Sequence, residues 1–383
     1  MRQLLFFFPL LWMTACQEAA TVAAPRAVER PEGQWLKGDL HLHSAHSSDA
    51  TAPLPELLLA AEAAGMDYFL LTDHDNHVNG DVASHSWADP AYTHPQMLML
   101  YGAEWTTHRG HGNVIAAAPY DHASLYALRD AADVEIGRQV EALGVHLSAN
   151  HPGNGDSFGF SYDIVRSIEV WNSAIWPNNS GAMTIWDDML KSGRPLTGRG
   201  GSDAHHTLRD GLMAGEPNGL QELANFVGTP TTWVFARDRS AEAVVQALDL
   251  GRVAVSAHPQ AERVELWADA DGDGQMELQM GDITQAPGGV VQFEVRIHGS
   301  PLPLPLYTVR VVKNGAEFAQ FPLSVDGLRF EDTPVAGERS YYRVELQGPP
   351  LPYPAAPGVG LLSAGMISLS NPIYFGFEDQ RMR

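Results

Sequence analysis

Asp39-Leu40-His41-Leu42-His43 sets two imidazoles at alternate positions, and acidic/histidine pairs return at Thr72-Asp73-His74-Asp75 and at Gly201-Ser202-Asp203-Ala204-His205. This recurrence constrains the fold more than any other feature. Clusters so far apart in sequence form one site only if separate strands end at a common rim. Successive side chains of a strand point to opposite faces, so His41 and His43 project together while Leu40 and Leu42 enter the core. That spacing suits two imidazoles on a single divalent ion.

Between the clusters, residues 35 to 257 alternate short apolar runs with amphipathic stretches, the pattern of an α/β domain with a mainly parallel sheet. Strands are expected up to His43 and at Tyr68 to Leu71, Met97 to Tyr101, Asn113 to Ala117, Val145 to Ala149, Ile168 to Trp171, Leu196 to Gly198, Thr232 to Phe235 and Val253 to Val255. Pro55 to Ala64, closed by Gly65, and Ala241 to Leu250, closed by Gly251, read as helices. Repeated strand-helix units with polar residues after the strands favour a barrel whose chemistry sits at the carboxyl-end rim. A doubly wound open sheet fits the same periodicity. From residue 258 to 383 the character changes. Val290 to Ile297, Tyr307 to Val312, Tyr341 to Leu346 and Gly365 to Leu369 read as strands between Pro and Gly clusters, which predicts a small all-β sandwich.

The amino-terminal residues 1–16 have the layout of an export signal: Arg2, then an apolar run from Leu4 to Met13. A run of about 10 apolar residues is short of the roughly 20 that span a bilayer. Thr14-Ala15-Cys16 resembles a bacterial lipobox, so lipid is expected on Cys16, the only cysteine, with residues 17–34 as a tether. The expected location is the cell envelope, with membrane contact through the anchor only. The net charge of −22 and the lack of a basic run exclude a protein that grips nucleic acid by its phosphates.

His41, His43, His74, His111, His151 and His205 supply nitrogen donors, and Asp49, Glu104 and Asp203 supply anionic oxygens. The mixture suits Zn, Mn or Fe and is too nitrogen-rich for a dedicated Mg or Ca cage. Paired ions of this kind polarise phosphoryl or carbonyl oxygens and activate water, so hydrolysis of a small phosphorylated or ester substrate is the expected chemistry.

The ordered anchors Asp39-Leu40-His41-Leu42-His43-Ser44, Ser48-Asp49, Thr72-Asp73-His74, Gly102-Ala103-Glu104, Gly110-His111-Gly112-Asn113, Asn150-His151-Pro152 and Gly201-Ser202-Asp203-Ala204-His205 resemble the polymerase and histidinol phosphatase (PHP) metallohydrolases. Within that family they are similar to the CehA/McbA-like branch. The resemblance implies a distorted (β/α)7 TIM-like barrel and two or three metal ions. It implies that His41, His43 and Asp203 hold one ion, that Glu104 bridges to a second held by His111 and His151, and that His74, His205 and Asp49 hold a third, with His46 competing for the place of Asp49. It also implies a phosphoesterase working through a metal-bridging hydroxide, with carboxyl-ester, carbamate or amide hydrolysis as the alternative. A non-catalytic envelope binding protein is the alternative of another class. Asp203, His205 and Arg199 are candidates for catalysis, Arg199 by meeting a substrate anion together with Arg209 and His206.

A separate calcium loop is expected at Asp269, Asp271, Asp273 and Gln275, where acids at alternate positions surround Gly272 and Gly274. Its twelfth position is Met280, so Asp282 or Glu277 is expected to replace the usual glutamate.

Overall fold

The computed structural model describes residues 32–153, 157–206, 225–299, 306–322, 328–349, 353 and 359–380. The expected signal segment with Cys16, and Arg209, lie outside these residues. No helix among the described residues is long and apolar enough to cross a membrane.

Among the described residues, nine strands build the amino-terminal region: β1 Gln34–Asp39, β2 Tyr68–Leu70, β3 Leu98–Thr107, β4 Gly110–Ala116, β5 His146–Ala149, β6 Ser167–Asn172, β7 Thr197–Gly201, β8 Thr231–Ala236 and β9 Val253–Ser256. β1 to β7 are neighbours in chain order, and β8 pairs with the other edge of β1. Past the end of β1, the Leu42↔Ala204 bridge joins the first strand's exit to that of β7. His43 N–H donates to Ala204 O at 2.9 Å, and Asp203 N–H to His41 O at 2.9 Å. Lower down, the Thr232 hydroxyl of β8 takes the Gly200 N–H at 3.0 Å and donates to Gly200 O at 2.8 Å.

The sheet is mixed, where a mainly parallel one was expected. β1–β2–β3 and β5–β6–β7 are parallel, whereas β4 is antiparallel to both neighbours. The physical reason is the Thr107-to-Gly110 turn. Gly110, at φ 131°, permits a reversal that needs no crossover helix. Glu104 and His111 therefore lie inside the two strands of a hairpin. β2 is buried at every position, so it carries no alternation.

Helices cover the sheet through one apolar face each. Leu54–Ala63 buries Leu54, Leu57, Leu58 and Ala61, which cluster with Phe69 and Leu71. Ala241–Asp249 starts where Ser240 accepts the Ala243 N–H and buries Ala243, Val244, Ala247 and Leu248.

The carboxy-terminal strands are β10 Arg263–Asp269, β11 Leu278–Gln279, β12 Ile283–Thr284, β13 Val291–His298, β14 Thr308–Lys313, β15 Ala316–Pro322, β16 Leu328–Asp332, β17 Ser340–Gln347, β18 Met366–Ser370 and β19 Ile373–Phe375. One sheet runs β11-β10-β13-β16. The remaining strands extend the first sheet, because β18 pairs antiparallel with β9 through Ser368↔Ser256, Leu369↔Val255 and Ser370↔Ala254. Within the β11-β10-β13-β16 sheet Phe293 stacks on its β16 partner Phe330 with centroids 4.7 Å apart, and across the gap it approaches Tyr342 of the other sheet at 4.6 Å, each such pair adding about 0.5–1.5 kcal/mol beyond area burial. Backbone pairing thus crosses the expected boundary at residue 258. Asn371 ties it further: its amide donates to Gly198 O at 2.7 Å and its carbonyl takes the Gly198 N–H at 2.7 Å, inside β7.

Candidate metal centre

His41 and His43 leave β1 on the same side, fully buried, and meet Glu104 from β3 and Asp203 from the loop after β7. His41 Nε2 lies 3.4 Å from Glu104 Oε2 and 3.3 Å from Asp203 Oδ1; His43 Nε2 lies 3.3 Å from each. Ligands on a tetrahedral ion with arms of ~2.0–2.1 Å stand about 3.3–3.4 Å apart, so these separations are the edges of such a coordination shell. Neither Nε2 atom has a hydrogen-bond partner among the described residues, although both are buried. Buried polar atoms are rarely left so, and here they converge with two anions on one point.

Glu104 presents its other oxygen to a second group. Oε1 lies 3.2 Å from His111 Nδ1 and 3.4 Å from His151 Nε2, and accepts the Asn150 amide at 2.8 Å. His74 Nδ1 is 3.0 Å from Glu104 Oε2, while its Nε2 is 3.2 Å from Asp49 Oδ2. His205 Nε2 reaches the same Asp49 oxygen at 3.7 Å, and the His205 ring stacks on His43 at 4.1 Å. The metal-capable groups His41/His43/Asp203, His41/Glu104/His151, His74/Glu104/His111 and His43/His74/His205 therefore share members in one continuous cluster. Zn, Mn or Fe fits this donor set, and hard cations alone do not.

The charges agree. Burial opposes ionisation of Glu104 and Asp203, yet the surrounding imidazoles hold both carboxyls well below the ordinary range. Burial also opposes charge on His41, but Asp203, Glu169 and Glu104 raise it well above its usual value. Burial and then His205 push His43 down to about 3, leaving it neutral and ready to ligate. In the metal-free protein, protons on imidazoles thus occupy ground where the carboxylates favour positive charge.

A buried layer orients these ligands. Glu169, 0% exposed in the middle of β6, accepts from His41 Nδ1 at 3.0 Å, which directs the other nitrogen at the cluster. Burial resists its ionisation, and Arg199 and His41 nonetheless lower its carboxyl. Glu169 also takes the His151 N–H at 2.9 Å and the Asn172 amide at 3.2 Å. Arg199, expected at a substrate anion, is 0% exposed and donates to Glu169 at 2.9 Å, to Ser148 at 2.6 Å and to Asn150. That expectation is corrected: β7 is packed on both faces, so the guanidinium has no path to solvent.

The acids of the motifs divide by role. Asp39 takes the N–H groups of His41, Ser202 and Gly228, and Asp73 binds Ser44 and Ser86, so both tie loops and neither faces the cluster. His46 pairs with Asp89 at 2.9 Å, which leaves Asp49 beside His74 and His205. His206 stands at the rim, 2.7 Å from Thr51 Oγ1. Glu169, Asn172 and Thr106, the last with its hydroxyl 2.6 Å from His74 Nδ1, escaped the sequence reading. Only Glu169 left a signal there, as a lone charge inside the apolar run Ile168 to Trp171.

Residues 39–131 match the PHP domain family. No curated protein matches the chain. Among solved structures, the chain is similar to a two-domain protein of Bacteroides vulgatus whose PHP-like metal-dependent phosphoesterase assignment is itself a prediction. The identity is 17%, coverage is 90% of this chain and 98% of that one, and the TM-score is 0.42. A protein of Bifidobacterium adolescentis, assigned by prediction as a metal-dependent phosphoesterase, is 16% identical. It covers 50% of this chain and 90% of its own, at a TM-score of 0.32.

Proposed function

We propose that this chain, with a PHP domain across residues 39–131, is a metal-dependent phosphoesterase that holds two or three divalent transition ions at the barrel rim. The observation that carries the reading is Glu104, whose two oxygens address two different sets of imidazoles. His41, His43 and Asp203 would hold one ion, His111 and His151 a second across Glu104, and His74, His205 and Asp49 a third. Bound there, such ions supply Lewis acidity toward a phosphoryl oxygen and lower the pKa of coordinated water toward neutrality.

The protein's own part is placement and access. His41, His43 and Glu104 seal the floor, at 0% to 1% side-chain exposure, whereas Asp203, His205, His111 and Asp49 rise from 20% to 44%. Substrate therefore approaches from the Asp49 and His205 side. Glu169, Asn150 and Arg199 fix the floor's rotamers from behind, so that ligands need no rearrangement on ion binding. Asp203 sits at φ 55° and His151 at φ 28°, a left-handed backbone that non-glycine residues adopt at a cost of about 1–3 kcal/mol and that aims both side chains inward.

Turnover of a phosphodiester dye by metal-loaded protein, against a carboxyl-ester dye at equal concentration, tests the reading. The phosphodiester is expected to be cleaved faster, and His41→Ala to abolish cleavage with the fold intact by circular dichroism. Metal content without turnover of either dye would favour a binding protein, and faster ester cleavage would favour the alternative hydrolase. The envelope location and the lipid on Cys16 are part of the same proposal, tested by mass spectrometry of membrane-extracted protein.

A further inference from the structure

The cluster at the barrel rim leaves one acidic constellation unused, the loop between β10 and β11. Asp269 closes β10 and is 1% exposed; Glu277 precedes β11 and is 7% exposed. The two strands pair through Trp267↔Gln279 and Ala268↔Leu278, which sets Asp269 and Glu277 at the neck of a hairpin with Asp271 and Asp273 in its exposed head. One carboxylate oxygen from each of Asp269, Asp271, Asp273 and Glu277 lies within 4.8 Å of all the others.

An acidic cluster alone is common on surfaces, and here Glu277 separates this one from that background. Its Oε1 accepts the Ala270 N–H at 2.7 Å, but its Oε2 is buried without any hydrogen-bond partner among the described residues, and Glu277 supplies one carboxylate oxygen to the set that converges. A buried anionic oxygen left unpaired in a group of four acids is costly unless a cation stands among them.

From this geometry we infer that Asp269, Asp271, Asp273 and Glu277 form a calcium site, separate from the transition-metal centre. All four side-chain donors are oxygens, as a hard cation requires, and no histidine or cysteine joins the group. Counting Asp269 as position one, the acids fall at positions 1, 3, 5 and 9, and Gln275 falls at 7, where calcium loops offer a main-chain carbonyl. The Gln275 side chain is engaged elsewhere, donating to Asp273 Oδ2 at 2.8 Å. Gly272 and Gly274, at φ 81° and 87°, have nothing within 4 Å of a would-be Cβ, so glycine serves the loop's left-handed backbone and not its packing. Asp282, the other expected closing acid, is committed to Arg252 at 3.3 Å and to the Gln279 N–H at 2.9 Å. With no bidentate glutamate at position twelve, affinity falls in the weak class, Kd about 10⁻⁴–10⁻³ M. The ion would lock the β10–β11 hairpin, and through β10 the sheet that carries β13 and β16.

Calorimetric titration of the full chain, its rim centre loaded with zinc, with calcium chloride up to about 10 mM, ten times the weak limit of that class, tests this. The expected result is saturable uptake of one ion with a rise in Tm. The Asp271→Asn/Asp273→Asn double variant, which alters exposed side chains only, should bind at least tenfold more weakly, and so should Glu277→Gln, which keeps the bond to Ala270. His41→Ala should leave calcium uptake unchanged whatever it does to hydrolysis. No saturable heat, uptake unaltered in the double variant, or uptake lost in His41→Ala would each overturn the inference.

Discussion

Glu104 in the histidine cluster and Glu265 and Glu345 in the carboxy-terminal sheets are all buried but are balanced by different partners. Around Glu104 and Asp203 the neighbours within salt-bridge range are imidazoles, whose charge depends on pH. In β17, Glu345 instead faces Arg343 and also Arg310 at 2.9 Å; in β10, Glu265 faces Arg263 at 2.6 Å and His298 at 3.0 Å. Guanidinium groups stay charged at any working pH, so those pairs are complete without further ligands. Imidazoles can release their protons to water and bind a cation through the freed nitrogens, so the cluster's charge balance is exchangeable where that of the arginine pairs is not. The same contrast lies within the rim itself, where Arg199 neutralises Glu169 behind the ligands.

The comparison breaks first at Glu104. Glu104→Ala is expected to reduce hydrolysis to background and to lower metal content by at least one ion per chain, read by elemental analysis of folded protein. Turnover that survives would show that the two imidazole sets do not work through a shared carboxylate. On the other side of the comparison, Arg343→Ala strips Asp187 and Glu345 of their buried partner and should cost about 3–5 kcal/mol by denaturant unfolding, with metal content per folded molecule unchanged. A smaller effect is expected behind the ligands. Glu169→Gln should weaken metal binding about 10–100-fold in competition with a chelator, because the acceptor of His41 Nδ1 loses its negative charge and with it the basicity it lends the ring.

The pH dependence separates the regions with the least perturbation. His205 is raised to about 9, as its hydrogen bond to Asp49 and the charge of Asp203 overcome burial. Its contribution to the stability of metal-free protein is full below the unfolded value of about 6.5 and is lost as pH rises through about 9. Chelator-treated protein should therefore melt lower at pH 9.5 than at pH 6.5, by a few degrees, while metal affinity rises over the same interval because the same nitrogens are freed. Glu265 behaves oppositely. Burial raises it, but His298 and Arg263 bring it to about 2, so its contribution is full above about 4.3 and disappears only as pH falls through about 2. A melting temperature of metal-free protein that is flat from pH 6.5 to 9.5 would mean that the rim imidazoles carry no such charge.

Much of the metal centre was legible in one dimension, because donor chemistry belongs to residue types. His41 and His43 share a side by strand alternation alone, and the histidine after each acid marks a strand exit. Alternation could not tell which member of Asp39-Leu40-His41 or Asp73-His74 faces the cluster, since Asp39 and Asp73 are spent on backbone N–H groups and hydroxyls of other segments. Arg199 read as a substrate contact because arginine pairs bidentately with phosphate and stands just before the last acidic/histidine cluster, and only packing of β7 against β6 and β8 closes it off. The hairpin of β3 and β4 was missed as a hairpin because its strands run into the turn without an apolar break.

Residue identity and short-range periodicity thus decided by themselves that this chain alternates strands with helices, that nitrogen and oxygen ligands recur at strand exits, and that an acidic loop follows residue 268. Tertiary structure alone decided that Glu169 sits behind His41, that Glu277 and not Asp282 faces the acidic loop, and that β18 joins β9 across the expected boundary. The reason is physical: periodicity reports which neighbours share a face, whereas burial and partner choice depend on groups more than a hundred residues away, such as His41 and Glu169, which only the folded chain brings within 3.0 Å.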